Sequence, residues 1–161
     1  MTERYQRACY EIQTAAVLHY TKGKIEPASA ACDRAPEPMR PVCYSSLGRD
    51  ISSKALRDPD KALRLCRQTG EANRPWCYVG VTKALVDWDA KPGPGFEFCR
   101  RIGKEPGVRL CNEAVGQQVT WLAATPAERQ VLCRTAAEPE AANECEWAAA
   151  VPGAVKPTRA L

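Results

Sequence analysis

The stretch PDKALRLCRQTGEANRPWCYVGV, residues 59–81, contains the pattern that decides the fold. Its first cysteine, Cys66, closes a short segment that begins at Pro59, and its second, Cys77, opens a longer apolar segment. The residues between the cysteines include glycine and proline, which interrupt helices. The stretch therefore predicts a short helix, called the A helix below, a tight turn, and a longer B helix.

This pattern recurs along the chain at a nearly constant interval. The B-helix cysteines are evenly spaced, and the A-helix cysteines keep the same spacing except for one step that is shorter by a single position. The two series are Cys9, Cys43, Cys77, Cys111 and Cys145, and Cys32, Cys66, Cys99 and Cys133. A fixed period of about 34 residues is the signature of a helical repeat architecture. We therefore expect an all-α solenoid of about four and a half helical-hairpin units.

The period also predicts the domain organisation. We expect one α-solenoid domain over residues 1–150 and a C-terminal tail over residues 151–161. The expected units are residues 1–22, 23–56, 57–90, 91–123 and 124–150. Each A helix should cover about ten residues and each B helix about fourteen, with ends uncertain by a few residues.

Proline marks the expected start of each A helix, since the first turn needs no amide hydrogen there. These prolines are Pro27, Pro59, Pro94 and Pro126. Asp58 and Thr125 are suited to be N-caps, and Glu128 completes a capping box with Thr125.

On the B helices, apolar residues follow the cysteine at spacings of four, which marks one face of a helix. Leu47 and Ile51 after Cys43 are an example. Gly48 and Gly116 share a position beside this face. The missing side chain there would let a neighbouring helix approach closely.

In an antiparallel helix pair, residues equally far from the turn face each other, and this predicts short-loop disulfides. The predicted pairs are Cys32–Cys43, Cys66–Cys77, Cys99–Cys111 and Cys133–Cys145. A competing set joins Cys9–Cys32, Cys43–Cys66, Cys77–Cys99 and Cys111–Cys133, and leaves Cys145 unpaired. Such a cysteine content is typical of exported proteins, and each short loop should stabilise the fold by about 3 kcal/mol.

The short-loop set leaves Cys9 without a partner. The period would place that partner about two or three residues before Met1. One hypothesis is that the partner belonged to a first hairpin that was removed, and the other is that Cys9 links two chains. The N-terminal sequence MTERYQRACYEIQ lacks the apolar centre of a signal peptide. We expect a mature extracytoplasmic protein, either periplasmic, cell-surface or secreted.

Metal binding and catalysis are poorly matched by the sequence. Structural zinc sites usually contain closely spaced cysteine pairs, which are absent, and His19 is the only histidine. We expect His19 to lie on the surface, and we predict no metal, no cofactor and no catalytic residue. A thiol-based metal-binding or redox protein stays as one alternative, and a carbohydrate-active enzyme or an inhibitor as another.

The net charge of +4, from 23 basic and 19 acidic side chains, is a mild excess that does not indicate nucleic acid. No apolar run is long enough to predict a membrane span.

The helix–turn–helix period of about 34 residues resembles that of the tetratricopeptide repeat class and its cysteine-rich relatives. The segment SSLGRDI, residues 45–51, is similar to part of the motif of that class. The resemblance covers about residues 5–150. It implies a superhelical shape and binding of partner proteins, but no individual functional residue.

Two recurring residue types are candidates for partner binding. Arginines flank the turns between A and B helices, at Arg34, Arg40, Arg67, Arg74, Arg100, Arg101, Arg109 and Arg134. They form either a basic stripe for an acidic partner or ordinary solvated charge, and only residues 100–110 carry a clear positive excess. Tyr10, Tyr44 and Tyr78 follow three B-helix cysteines, as a binding ladder or as packing between repeats. Most of the four tryptophans, Trp76, Trp88, Trp121 and Trp147, are expected to pack near helix ends.

The sequence thus favours a non-catalytic exported scaffold or protein-binding repeat protein. Because a B helix stands at each end of the predicted repeat, self-association through the chain ends is expected, giving a subunit of a larger assembly or filament.

Overall fold

A computed structural model describes residues 3–151, and this part of the chain consists of nine α-helices without a β-strand. The helices are α1 (Glu3–Tyr20), α2 (Ile25–Asp33), α3 (Arg40–Lys54), α4 (Pro59–Cys66), α5 (Arg74–Asp89), α6 (Gly93–Ile102), α7 (Val108–Leu122), α8 (Pro126–Cys133) and α9 (Pro139–Ala150). Short 3₁₀ turns, Glu37–Met39 and Glu71–Asn73, precede α3 and α5. The tail predicted beyond Val151 lies outside the described residues.

The even-numbered helices are the predicted A helices and the odd-numbered ones are the predicted B helices. The A helices contain 8 to 10 residues and the B helices 12 to 18. Among the helices of residues 3–151, none is both long and apolar enough to cross a membrane.

Proline lies in the first turn of every A helix, but not always at its first residue. Pro59 and Pro126 begin α4 and α8, whereas α2 begins at Ile25, two residues before Pro27. All positions in the first turn tolerate proline because their amide hydrogens have no partner inside the helix.

The predicted N-caps are present. The carboxylate of Asp58 accepts a hydrogen bond from the Lys61 amide. Thr125 and Glu128 form a reciprocal capping box at the start of α8. These bonds fix where two of the short helices begin.

Four disulfides each join an A helix to the B helix that follows it. They are Cys32–Cys43, Cys66–Cys77, Cys99–Cys111 and Cys133–Cys145, which is the short-loop set. Their Cα atoms lie 5.4 to 5.8 Å apart, and all eight cysteines are buried. Four disulfides are typical of an oxidising environment outside the cytoplasm.

The chain divides into two compact units, Met1–Val81 and Thr82–Leu161. Because α5 is one continuous helix across this point, no loop marks the boundary, and it does not coincide with the end of a predicted repeat. In the first unit α3 packs against α1, α2 and α4, and in the second α7 packs against α6, α8 and α9.

Small residues bring successive B helices close together. A Cβ atom on Gly48 would overlap the carbonyl oxygen of Cys77 and lie 2.9 Å from Cα of Gly80. A Cβ atom on Gly116 would overlap the carbonyl oxygen of Cys145. The predicted role of Gly48 and Gly116 is therefore confirmed, and Gly80 is a partner that the sequence reasoning missed.

Threonine occupies the position of these glycines in the preceding B helices. Thr14 donates to Asp50 at 2.7 Å and lies 3.1 Å from the Ser46 hydroxyl. Thr82 lies 2.9 Å from the Cys111 sulfur, and its hydroxyl is the donor because a disulfide sulfur carries no hydrogen. Contacts between B helices thus alternate between a hydroxyl and a glycine.

We predict that Gly48→Ala lowers the free energy of unfolding by about 2 kcal/mol or more, because the added methyl group forces the α3 and α5 backbones apart. Gly70→Ala is the matched control, since a Cβ atom there meets nothing within 4 Å and its φ of −57° suits alanine. The control should change stability by less than about 1 kcal/mol. Urea unfolding with intact disulfides measures both, and equal effects would contradict the close-contact interpretation.

Candidate functional site

The tyrosine ladder is mostly part of the core. Tyr44 and Tyr78 are fully buried, whereas Tyr10 is half-buried. The Tyr44 phenol donates to the carboxylate of Asp33 at 2.7 Å and lies 3.0 Å from the Ser29 hydroxyl. The binding interpretation is therefore wrong for Tyr44 and Tyr78, which follow buried disulfide cysteines and point to the same interior.

The arginines of the third turn segment are paired with neighbouring carboxylates. Arg100 and Arg101 both lie 2.8 Å from carboxylate oxygens of Glu97. The hydrogen bond from Arg100 holds the pKa of Glu97 below its usual value. Arg109 lies 3.5 Å from Glu113, one turn later on α7. The positive excess seen in the sequence therefore does not form a basic stripe here.

In the first unit, arginines stabilise the turns themselves. Arg40 donates to the carbonyl oxygen of Ala35 at 3.2 Å. One repeat later, Arg74 donates to the carbonyl oxygens of Thr69 and Arg67, each at 3.4 Å. Arginine at this position thus donates hydrogen bonds to turn carbonyls. This role explains why arginine recurs here without invoking an acidic binding partner of the protein.

A cavity of about 260 Å³ opens in the second unit. Three carboxylates line it, from Glu138, Glu140 and Glu144, with one guanidinium, from Arg100. Asn112 donates to Glu144 at 2.8 Å. Burial raises the pKa of Glu144, the Asn112 hydrogen bond opposes the rise, and the charge of Glu140 adds to it. The excess of negative charge suits an ammonium or guanidinium group entering from a partner.

Large apolar side chains stand exposed at the C-terminal ends of B helices. In the first unit Tyr20 is 84% exposed at the end of α1, and Leu56 is 83% exposed just beyond α3. In the second unit Trp88 lies at the end of α5 and Trp121, 84% exposed, at the end of α7. Trp121 is therefore an exception to the expectation that most of the tryptophans pack.

These exposed residues were missed because their residue types alone do not separate surface from core. They follow their B-helix cysteines by 10 to 13 residues, so no single repeat position distinguishes them in the sequence. Leu56 also has a φ of 56°, a left-handed conformation that disfavours leucine. The turn geometry directs its side chain into solvent.

Cys9 is an exposed free cysteine, and His19 is exposed near the end of α1. Within the described part of the chain, no group of three or more histidine, cysteine or acidic side chains has an arrangement that could hold a metal ion.

Comparisons with models of known protein families, with curated proteins and with solved structures find no match. The resemblance to the tetratricopeptide repeat class therefore stays a prediction.

We predict that stability falls at alkaline pH because burial raises the pKa of Tyr44 to about 12. The folded state holds this proton more tightly than the unfolded chain does, so the contribution is present below about pH 10 and is lost as the pH rises towards 12. The full loss is about 2–3 kcal/mol. Tyr44→Phe should remove this pH dependence, whereas Tyr20→Phe should keep it. The free energy of unfolding is measured from pH 8 to 11.5. If it falls equally in wild type and in Tyr44→Phe, the assignment to Tyr44 is contradicted.

We predict that Glu144→Gln raises the melting temperature at pH 7. The amide keeps an acceptor for Asn112 but removes a charge whose ionisation burial opposes. Because the raised pKa means that the folded state favours the protonated carboxyl, the difference from wild type should shrink as the pH falls to 4. Glu128→Gln, at an exposed capping position with a lowered pKa, should instead destabilise at pH 7. A pH-independent gain in Glu144→Gln would sink the electrostatic explanation.

Proposed function

We propose that this chain is a non-catalytic, exported repeat protein that binds a partner protein through the exposed ends of its B helices. In this proposal the helix pairs stack as a solenoid of helical-hairpin units in the periplasm, at the cell surface or in the secreted fraction. The observation that carries the proposal is the recurrence of a large exposed apolar side chain at the ends of α1, α3, α5 and α7.

Aromatic and large aliphatic side chains in solvent have an energetic cost that a binding function offsets. Tryptophan and tyrosine are enriched among the residues that contribute most to protein–protein binding. Single exposed apolar residues are common on soluble proteins, but here one occurs near the C-terminal end of each of four B helices. In a regular stack, the same ends of successive B helices lie along one edge, which suits an extended partner.

The state of the cysteines supports a scaffold over the thiol-metal alternative. Eight of the nine cysteines are disulfide-bonded, and a disulfide offers no thiolate to a metal ion. Each disulfide also fixes a helix that is too short to persist alone in water. Rigid helices present their exposed ends at a low entropic cost on binding.

The charge arrangement supports recognition by apolar contact. Most of the arginines that flank the turns form pairs with carboxylates or carbonyls within each unit, namely Arg40, Arg74, Arg100, Arg101, Arg109 and Arg134. The exposed helix ends are thus the more distinctive part of the surface. We expect binding to change little between about 50 and 300 mM salt, since apolar contacts are not screened.

The proposal is tested with the full chain immobilised as bait for the extracytoplasmic fraction of its source organism. Recovery of each bound protein is quantified for wild type, Leu56→Asn and Trp121→Ser. Asparagine is chosen at Leu56 because it tolerates the left-handed backbone there. Val131→Ser is the matched control, as Val131 is 66% exposed but lies within α8.

We expect at least one protein whose recovery falls tenfold or more with Leu56→Asn or Trp121→Ser and is kept with Val131→Ser. Circular dichroism confirms that the variants stay folded. If every protein bound by wild type is bound equally by all variants, the exposed ends do not bind the partner and the proposal fails.

A further inference from the structure

Helix α1 exposes a continuous, largely apolar face around its free cysteine. Tyr5, Cys9, Ile12, Ala16 and Tyr20 are spaced by three or four residues, and all five are exposed. Such spacing places them on one side of a helix. Tyr5 and Ile12 are 66% and 69% exposed, values that are unusual for large apolar side chains in a row. This set is called the Cys9 face below.

The equivalent face is covered in the other B helices. On α3 the positions that match Cys9 and Ile12 are Cys43 and Ser46, and both are buried. Cys43 is bonded to Cys32 of α2, and Ser46 is covered by α1 through Thr14. In the second unit the matching residues are Cys111, Ala114, Cys145 and Ala148, and all are buried. The repeat therefore builds this face to be covered by another helix.

Within residues 3–151, no A helix is left to cover the Cys9 face in that way. Each A helix, α2, α4, α6 and α8, has its single cysteine bonded to the B helix that follows. Cys9 is the free cysteine among the nine of the sequence. Among the nine cysteines of the sequence, the thiol that can pair with Cys9 is therefore Cys9 of a second copy.

The charge pattern of α1 suits contact with an identical face. The Cys9 face carries no charged residue. Arg7 and Glu11 pair with each other at 3.0 Å and, two residues from Cys9 in either direction, point to the opposite side of the helix. A twofold interface places a surface against itself, so like charges there would repel. An uncharged face avoids this cost in a protein with a formal net charge of +4.

We propose that the Cys9 face is a dimer interface between two copies of this chain, closed by a Cys9–Cys9 disulfide. The two α1 helices lie antiparallel across a twofold axis near Cys9, so that Ile12 of one copy covers the neighbourhood of Cys9 in the other. The interface is centred on Cys9 and Ile12, and at its edge it shares Tyr20 with the helix ends proposed above to bind a partner protein.

The disulfide forms by two exchange steps with a low-molecular-weight disulfide as oxidant, for which oxidised glutathione serves in the experiment. One Cys9 thiolate attacks oxidised glutathione and releases one glutathione thiol, leaving a mixed disulfide. The Cys9 thiolate of the second copy then attacks the protein sulfur of that mixed disulfide and releases the second glutathione thiol. Two protein thiols are thus oxidised while one glutathione disulfide is reduced to two thiols.

The test uses the full chain in a glutathione redox buffer, with light scattering for mass and non-reducing peptide mapping for the bond. Four proteins are compared: wild type, Cys9→Ser, Ile12→Glu and Val131→Glu. Ile12 and Val131 are matched in exposure, at 69% and 66%, but only Ile12 lies on the Cys9 face. The Ile12→Glu change places two like charges in the interface and leaves the thiol intact.

We expect wild type and Val131→Glu to form a dimer linked by Cys9, and Cys9→Ser to form a weaker dimer that dissociates on dilution. In Ile12→Glu the rate of disulfide formation should fall at least tenfold. Three results would each overturn the proposal: a wild-type monomer with glutathione retained on Cys9, equal rates of linkage in Ile12→Glu and Val131→Glu, or purified native protein with Cys9 bonded to a different polypeptide.

Discussion

The disulfide between each short helix and the long helix after it is the constraint on which the other features depend. A helix of 8 to 10 residues is marginal in water because the first turn fixes several residues for one hydrogen bond. Closing a loop of 11 or 12 residues removes part of the freedom of the unfolded chain and sets the register of the two helices. With the register fixed, Tyr44 reaches Asp33 across the pair, and turn arginines reach the carbonyls beside them. The core can then combine many alanines with larger apolar side chains, since it does not have to hold the helices together alone.

Contacts between successive long helices follow a second rule, with twice the period of the cysteines. In the first unit Thr14 hydrogen-bonds to α3, and Gly48 lets α3 contact α5 backbone to backbone. In the second unit Thr82 hydrogen-bonds to the α7 cysteine, and Gly116 lets α7 contact α9. The cysteines recur in every repeat, but each kind of contact recurs only in every second repeat. One hydroxyl contact and one glycine contact therefore lie within each compact unit of the chain.

Local chemistry made much of this fold predictable from the sequence. The caps at Asp58 and Thr125 act over a few residues, and the disulfide pairs follow from distance to a turn. The solvent exposure of Tyr44 and of Trp121 was not predictable in this way, because it depends on whether another part of the chain covers the side chain. The third turn segment shows the same limit for charge. Its positive excess lies within residues 100–110, whereas the carboxylates that pair with its arginines belong to Glu97 and Glu113, outside that range.

The pairing of arginines with carboxylates within each unit also affects which side chains are available to bind a partner. An arginine held by a carboxylate must leave that partner before it can bind an anion, so it adds little net affinity. The transfer of an exposed tyrosine, leucine or tryptophan side chain from water into an apolar contact is favourable. The carboxylates of the cavity near Glu144 differ from the arginines, because three of them face one guanidinium. If a partner binds as proposed, apolar contacts at the helix ends would supply affinity, and the acidic cavity would suit a basic side chain of that partner.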